Sequence, residues 1–172
     1  MAAFHQVFQI PSGEERNVAR LFDLAKQDTA GFESYAAQIE RLCGSGHDNC
    51  PAMEDILDGL FHIAKADGAI HDAELGFLNA TAAAFKIDDS HYQTILARHG
   101  ASGEPDPYRV LGIKRGASLE EARKVWRDLV RENHPDVLTG RGVPDEFIAI
   151  ATERLKTINR AWKTLQAQLE PA

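Results

Sequence analysis

The sequence predicts an all-α protein, a helical bundle followed by a helical hairpin, and three observations carry that prediction. Apolar residues recur at helical spacing in segment after segment. Helix-start signals stand in front of those segments: two capping boxes and a proline suited to a first turn. One short run of small residues and turn formers, Gly100-Ala101-Ser102-Gly103-Glu104-Pro105, divides the chain. A length of 172 residues accommodates one domain or two small ones, and 44% hydrophobic with 26% charged residues is the composition of a folded protein.

Residues 1–99 carry the first elements. Ser12 with Glu15 forms a capping box, and Val18, Leu21, Phe22 and Ala25 continue it as an apolar stripe. Phe32, Tyr35, Ala36 and Ile39 mark a helix after Gly31. Pro51 opens the next, whose buried face is Met53, Ile56, Leu57, Leu60, Phe61 and Ala64. Asp67-Gly68 ends it. Leu75, Leu78, Ala82 and Phe85 carry the following helix, and Asp88 or Asp89 caps a last one with Tyr92, Ile95 and Leu96 inward. A faint repeat links Phe8-Gln9-Ile10 with Phe85-Lys86-Ile87, each followed by an apolar residue at matching spacing, Val18 and Ile95.

Beyond the linker at 100–105, residues 106–172 show stronger signals. Ser118 and Glu121 make a capping box, and Glu120 suits the positive end of the helix dipole. Ala122, Val125, Trp126 and Leu129 form one stripe, while Arg123, Lys124, Arg127 and Arg131 leave it as a positive surface. Pro135 disfavours helical geometry at the residue before it and so stops the helix. A third segment, from about Asp145 to Gln168, repeats the rhythm with Ile148, Ala151, Leu155, Ile158, Trp162 and Leu165. The expected product is two antiparallel helices with an exposed tripeptide, His134-Pro135-Asp136, at their joint.

Charge and motif content exclude several functions. The net charge is −7, split as −9 over residues 1–104 and +2 over 105–172. An acidic first part argues against nucleic acid, whose phosphates need a basic footprint. The basic stripe of the second part suits an acidic protein surface, although an anonymous stripe is ordinarily a solvated face. No apolar run approaches the ~20 residues of a membrane span. The start MAAFHQVFQIPSG has neither a basic leader nor a long apolar stretch, which points to a cytoplasmic protein. No nucleophile elbow, phosphate-binding glycine loop or zinc-protease helix occurs, so a catalytic role is not expected.

The pieces DPYRVLGI, ARKVWRDLVRENHPD and LKTINRAWKTL, in that order, resemble the J domain, the module by which DnaJ-type co-chaperones engage DnaK-type chaperones. The loop and last helix, VLTGRGVPDEFIAIATERLKTINRAW, look like the DjlA-type branch. Departures are Val137, where the family usually places Lys or Arg, and the lack of a short fourth helix, a Gly/Phe-rich stretch and a repeated Cys-x-x-Cys module. The resemblance implies that His134, Pro135 and Asp136 activate the chaperone and that Arg123, Lys124, Arg127 and Arg131 dock on it. The first part, with ADGAIHDAEL as its best motif, is similar to the TerB domain that precedes the J domain in DjlA-like proteins. This likeness implies that the chain starts inside the domain, without the domain's first helices and without the family's membrane-associated or Gly-rich leader. It also implies a second reading, a TerB-like metal- or stress-sensing module with a passive J domain. In the co-chaperone reading, the first domain would choose the client protein, the location or a regulator.

Two clusters are candidates for metal. Asp67-Gly68-x-Ile70-x-x-x-Glu74 has the spacing of the latter half of a calcium loop, but the earlier ligand positions fall on Ile63 and Lys65. The plainer reading is a helix–turn–helix corner with Gly68 as a left-handed cap. Because TerB domains are associated with metal binding, Asp67, Asp72 and Glu74 stand as the candidate divalent-metal ligands; no other cofactor is expected. Cys43, His47 and Cys50 crowd into CGSGHDNC without a usual zinc spacing, and two reduced thiols are expected there.

Overall fold

The structure is a computed structural model that describes residues 13–14, 16–17, 20, 31–41, 49–65, 68–100 and 105–170. Among these residues the fold is all-α, with eight helices and no strand. In chain order they are α1 (Phe32–Glu40), α2 (Pro51–Ala64), α3 (Asp72–Ala84), α4 (Asp89–Arg98), α5 (Pro107–Leu111), α6 (Leu119–Glu132), α7 (Pro135–Gly140) and α8 (Asp145–Leu169). The capping box at Ser12, the stripe from Val18 to Ala25 and the first copy of the repeat lie outside the described residues.

Compactness divides the chain into two units, Met1–Lys86 and Ile87–Ala172. In the first, α3 packs on both α1 and α2. Pro51 occupies the first turn of α2, where its missing N–H costs nothing. Met53, Leu57 and Phe61 of that helix are fully buried, as are Leu78 and Ala82 of α3 and Ala36 of α1. The turn before α3 has Gly68 at φ 102, a conformation that glycine adopts without steric cost. Glu74 then reaches back to accept the His71 N–H at 2.8 Å, satisfying a donor that the helix start leaves open. Lys86 takes a left-handed φ of 56 after the end of α3, and its carbonyl accepts the Asn49 N–H at 3.2 Å.

The second unit buries Ala97, Val110, Leu111, Ala122, Ile158, Ala161, Trp162 and Leu165 in one core. Helix α8 is its axis and packs on α4, α5, α6 and α7. Asp88 caps α4 by accepting the His91 N–H at 2.8 Å. Asp106 caps α5 and also binds the Arg115 guanidinium at 3.1 Å, folding the following loop back on that helix start. Composition places a boundary at residues 100–105, yet α4 sits in the core of the second unit. Ala97 shares the cluster with Val110 and Leu111, and Arg98 Nε donates to the Val110 carbonyl at 3.1 Å. A helix of five residues is far below the length that is stable alone, so α5 needs such support.

Candidate functional site

The site is built where α6 hands the chain to α7. Ser118 caps α6 as the sequence predicts: its hydroxyl accepts the Glu121 N–H at 3.2 Å, and Glu121 Oε2 accepts the Ser118 N–H at 2.8 Å. The Ser118 N–H and, at 2.9 Å, the Ser118 hydroxyl both donate to Glu121 Oε2, which favours the carboxylate, so the Glu121 pKa lies below its usual value. Ala122 is fully buried and Trp126 and Leu129 are partly so, which turns the opposite face outward. Arg123, Lys124, Arg127 and Arg131 are all exposed on it. Two of the four cations have near neighbours. Arg123 lies over the Trp162 ring at 5.9 Å, and Arg131 approaches Asp128 at 3.3 Å. The latter pair is exposed and contributes little energy.

Beneath the basic face, Trp126 and Trp162 stack with centroids 5.1 Å apart and planes 13° from parallel. Trp126 Nε1 donates to Asn159 Oδ1 at 2.9 Å. The aromatic pair therefore joins α6 to α8 and supports Arg123 from below.

At the far end of α6, Pro135 does two things. It ends α6 at Glu132, and it occupies the first turn of α7. The tripeptide is thus a helix start at the expected joint, and the VLTG expected in a loop continues it as α7. His134 is the N-cap, and its Nδ1 accepts the Asp136 N–H at 3.2 Å. Because Nδ1 accepts, the neutral ring carries its proton on Nε2. Nδ1 also lies 3.8 Å from Asp136 Oδ2. The side chains of His134 and Asp136 are 46% and 91% exposed, available to a partner. Val137 is half-buried in α7.

Residues that the sequence does not single out complete the joint. Asn133, only 6% exposed, caps the end of α6, and Arg154 of α8 donates to its side chain. A polar residue before His-Pro hints at a cap, but nothing in the sequence couples it to a side chain twenty-one positions on.

Asp67 lies outside the described residues, Asp72 is exposed in the first turn of α3, and one Glu74 oxygen already caps that helix. Among the described residues no group of three His, Cys, Asp or Glu side chains is placed to hold a metal ion. The described part of the predicted corner has the helix–turn–helix form, with Gly68 left-handed. Cys50, the N-cap of α2, is disulfide-bonded, which corrects the expectation of two reduced thiols; Cys43 lies outside the described residues. Sequence spacing alone does not decide whether two thiols meet, whereas chain closure does. No described helix is long and apolar enough to cross a membrane.

Comparison with known proteins agrees with this layout. Residues 1–97 match the family described as Tellurite resistance protein TerB, and residues 106–170 match the DnaJ domain. Among similar curated proteins, Co-chaperone protein DjlA of Coxiella burnetii is 34% identical over 94% of this chain and 65% of its own length. The protein of the same name from Photobacterium profundum is 25% identical over 91% of this chain and 64% of its own. That of Vibrio vulnificus strain YJ016 is 33% identical over 91% and 65%. This chain therefore spans slightly less than two-thirds of the length of these relatives. No solved structure matches it significantly.

Proposed function

The chain belongs to the TerB family and is a DjlA-like J-domain protein, and from that premise we propose that it is a co-chaperone that binds a DnaK-type chaperone and stimulates its ATP hydrolysis. One observation carries the reading: an exposed His134-Pro135-Asp136 helix start directly follows a helix face bearing four exposed cations. Arg123, Lys124, Arg127 and Arg131 supply long-range attraction to an acidic face of the partner. The tripeptide then makes short polar contacts, with Nε2–H as a donor and the Asp136 carboxylate as an acceptor. Contacts of that kind raise turnover if they bind the hydrolysis-competent state of the partner better than its alternative. The phosphoryl chemistry stays with the partner. In this reading the first unit selects a client protein, a location or a regulator.

His134→Gln is expected to abolish stimulation in single-turnover ATP hydrolysis with a DnaK-type chaperone. The side chain is exposed, so its loss costs little stability, and the melting temperature should be nearly unchanged. Equal stimulation by variant and wild type would remove the co-chaperone reading. The metal-sensing reading makes a separate demand, that calcium or zinc raise the melting temperature through Asp67, Asp72 and Glu74.

A further inference from the structure

Resting on the co-chaperone reading, we propose that Asn133 and Arg154 form a positioning clasp that sets the direction of the tripeptide, so that α8 governs how well the joint activates a partner. Asn133 is the residue immediately before His134, and among the described residues of the second unit it is the one buried polar residue. Its side-chain amide is used on both sides. Nδ2 donates to the Leu129 carbonyl at 2.8 Å, and Oδ1 accepts from Arg154 Nη1 at 2.8 Å. Its backbone N–H also donates to Leu129 O, at 3.1 Å.

An exposed side chain that must engage a partner in one orientation needs a backbone that does not rotate beneath it. Proline fixes its own φ and restricts the residue before it, but it does not fix the torsions of Asn133, which sits at φ −99, ψ 9 at the end of α6. The buried amide supplies that restraint. It closes the last turn of α6 and, through a charge-assisted bond, ties that turn to α8. A buried polar side chain satisfied in one arrangement selects that arrangement, because leaving its groups unpaired is costly. Neither residue needs to touch the partner; both act through His134.

The clasp and the basic face make different demands on an assay. Loss of the clasp should misplace the tripeptide while leaving Arg123, Lys124, Arg127 and Arg131 exposed. Arg154→Met in the full chain should therefore lower the saturating rate of DnaK-type ATP hydrolysis by about tenfold, with the half-saturating concentration changed by less than about threefold. Arg154→Lys should recover part of the rate, and Arg154→Met with Asn133→Ala should be little worse than either alone. A second readout needs no partner. Nitrogen-15 spectra of the histidines should show one His134 tautomer in wild type and mixed tautomers in Arg154→Met, with tryptophan fluorescence confirming that both proteins are folded. An unchanged His134 signal in Arg154→Met overturns the clasp, and so does a full saturating rate. A wild type that gives no stimulation refutes the co-chaperone reading instead, and the nitrogen-15 comparison still decides the clasp.

Discussion

At the scale of single residues, the second unit is organised by side chains that join α6 to α8. Trp126 is the clearest case, since it stacks on Trp162 and donates to Asn159 in one placement. Trp126→Phe keeps an aromatic ring but removes the N–H, leaving a partly buried Asn159 oxygen without its partner. A loss of about 1–3 kcal/mol in unfolding free energy is expected, from the unpaired acceptor together with a poorer stack. Urea unfolding followed by circular dichroism measures it. A change within about 0.5 kcal/mol, the range of ordinary surface substitutions, would mean that the indole contact is incidental. Asn133 with Arg154 makes the same kind of link at the other end of α6.

At the scale of elements, α6 shows how a local signal becomes an exposed basic surface. Its capping box fixes where the helix starts, and the start fixes which residues of SLEEARKVWRDLVRE face the core. The same box makes the helix sensitive to acid. Glu121 is held ionised by the Ser118 backbone and hydroxyl, so its pKa is depressed in the folded state. Its contribution is present above the usual glutamate value and is lost as pH falls through the depressed folded value. Between about pH 7 and pH 3, Glu121→Gln should therefore lose less thermal stability than wild type. Melting followed by tryptophan fluorescence reads this unit alone, because the chain's two tryptophans are Trp126 and Trp162. Parallel acid profiles for the two proteins would show that the box does not couple the helix to pH.

At the scale of the whole molecule, charge is distributed unevenly, which the net value of −7 conceals. The acidic residues concentrate in the first 104 positions, while four exposed cations line one face of α6. A protein of this charge does not attract acidic partners over its whole surface; it can do so through that face. Arg127→Glu is expected to weaken binding to a DnaK-type chaperone mainly through the association rate, and wild-type affinity should fall as salt rises. The range of such attraction is about 8 Å at physiological ionic strength. Binding titrations at two salt concentrations test this, and a flat response would reduce the stripe to a solvated surface. Domain organisation also belongs to this scale. The TerB match runs to residue 97, whereas compactness assigns α4 to the unit that begins after Lys86. The element that closes one sequence family is thus packed into the core of the next.

Local order along the chain was enough to establish the longer helices and the exposed tripeptide. A capping box at Ser118, a proline at 51 and the periodic stripe from Ile148 to Leu165 act between neighbours a few positions apart, so their effect is legible without a fold. It likewise placed Arg123, Lys124, Arg127 and Arg131 on one outward face, because helical period alone separates them from Ala122 and Trp126. Packing was needed to show that Pro135 begins α7 as well as ending α6, and that α4 lies beside α5. Packing also joined Asn133 to Arg154 and Trp126 to Asn159. These depend on which side chains meet across many positions of chain, and that choice is made by burial: once α8 covers α6, each polar group trapped between them must find a partner there.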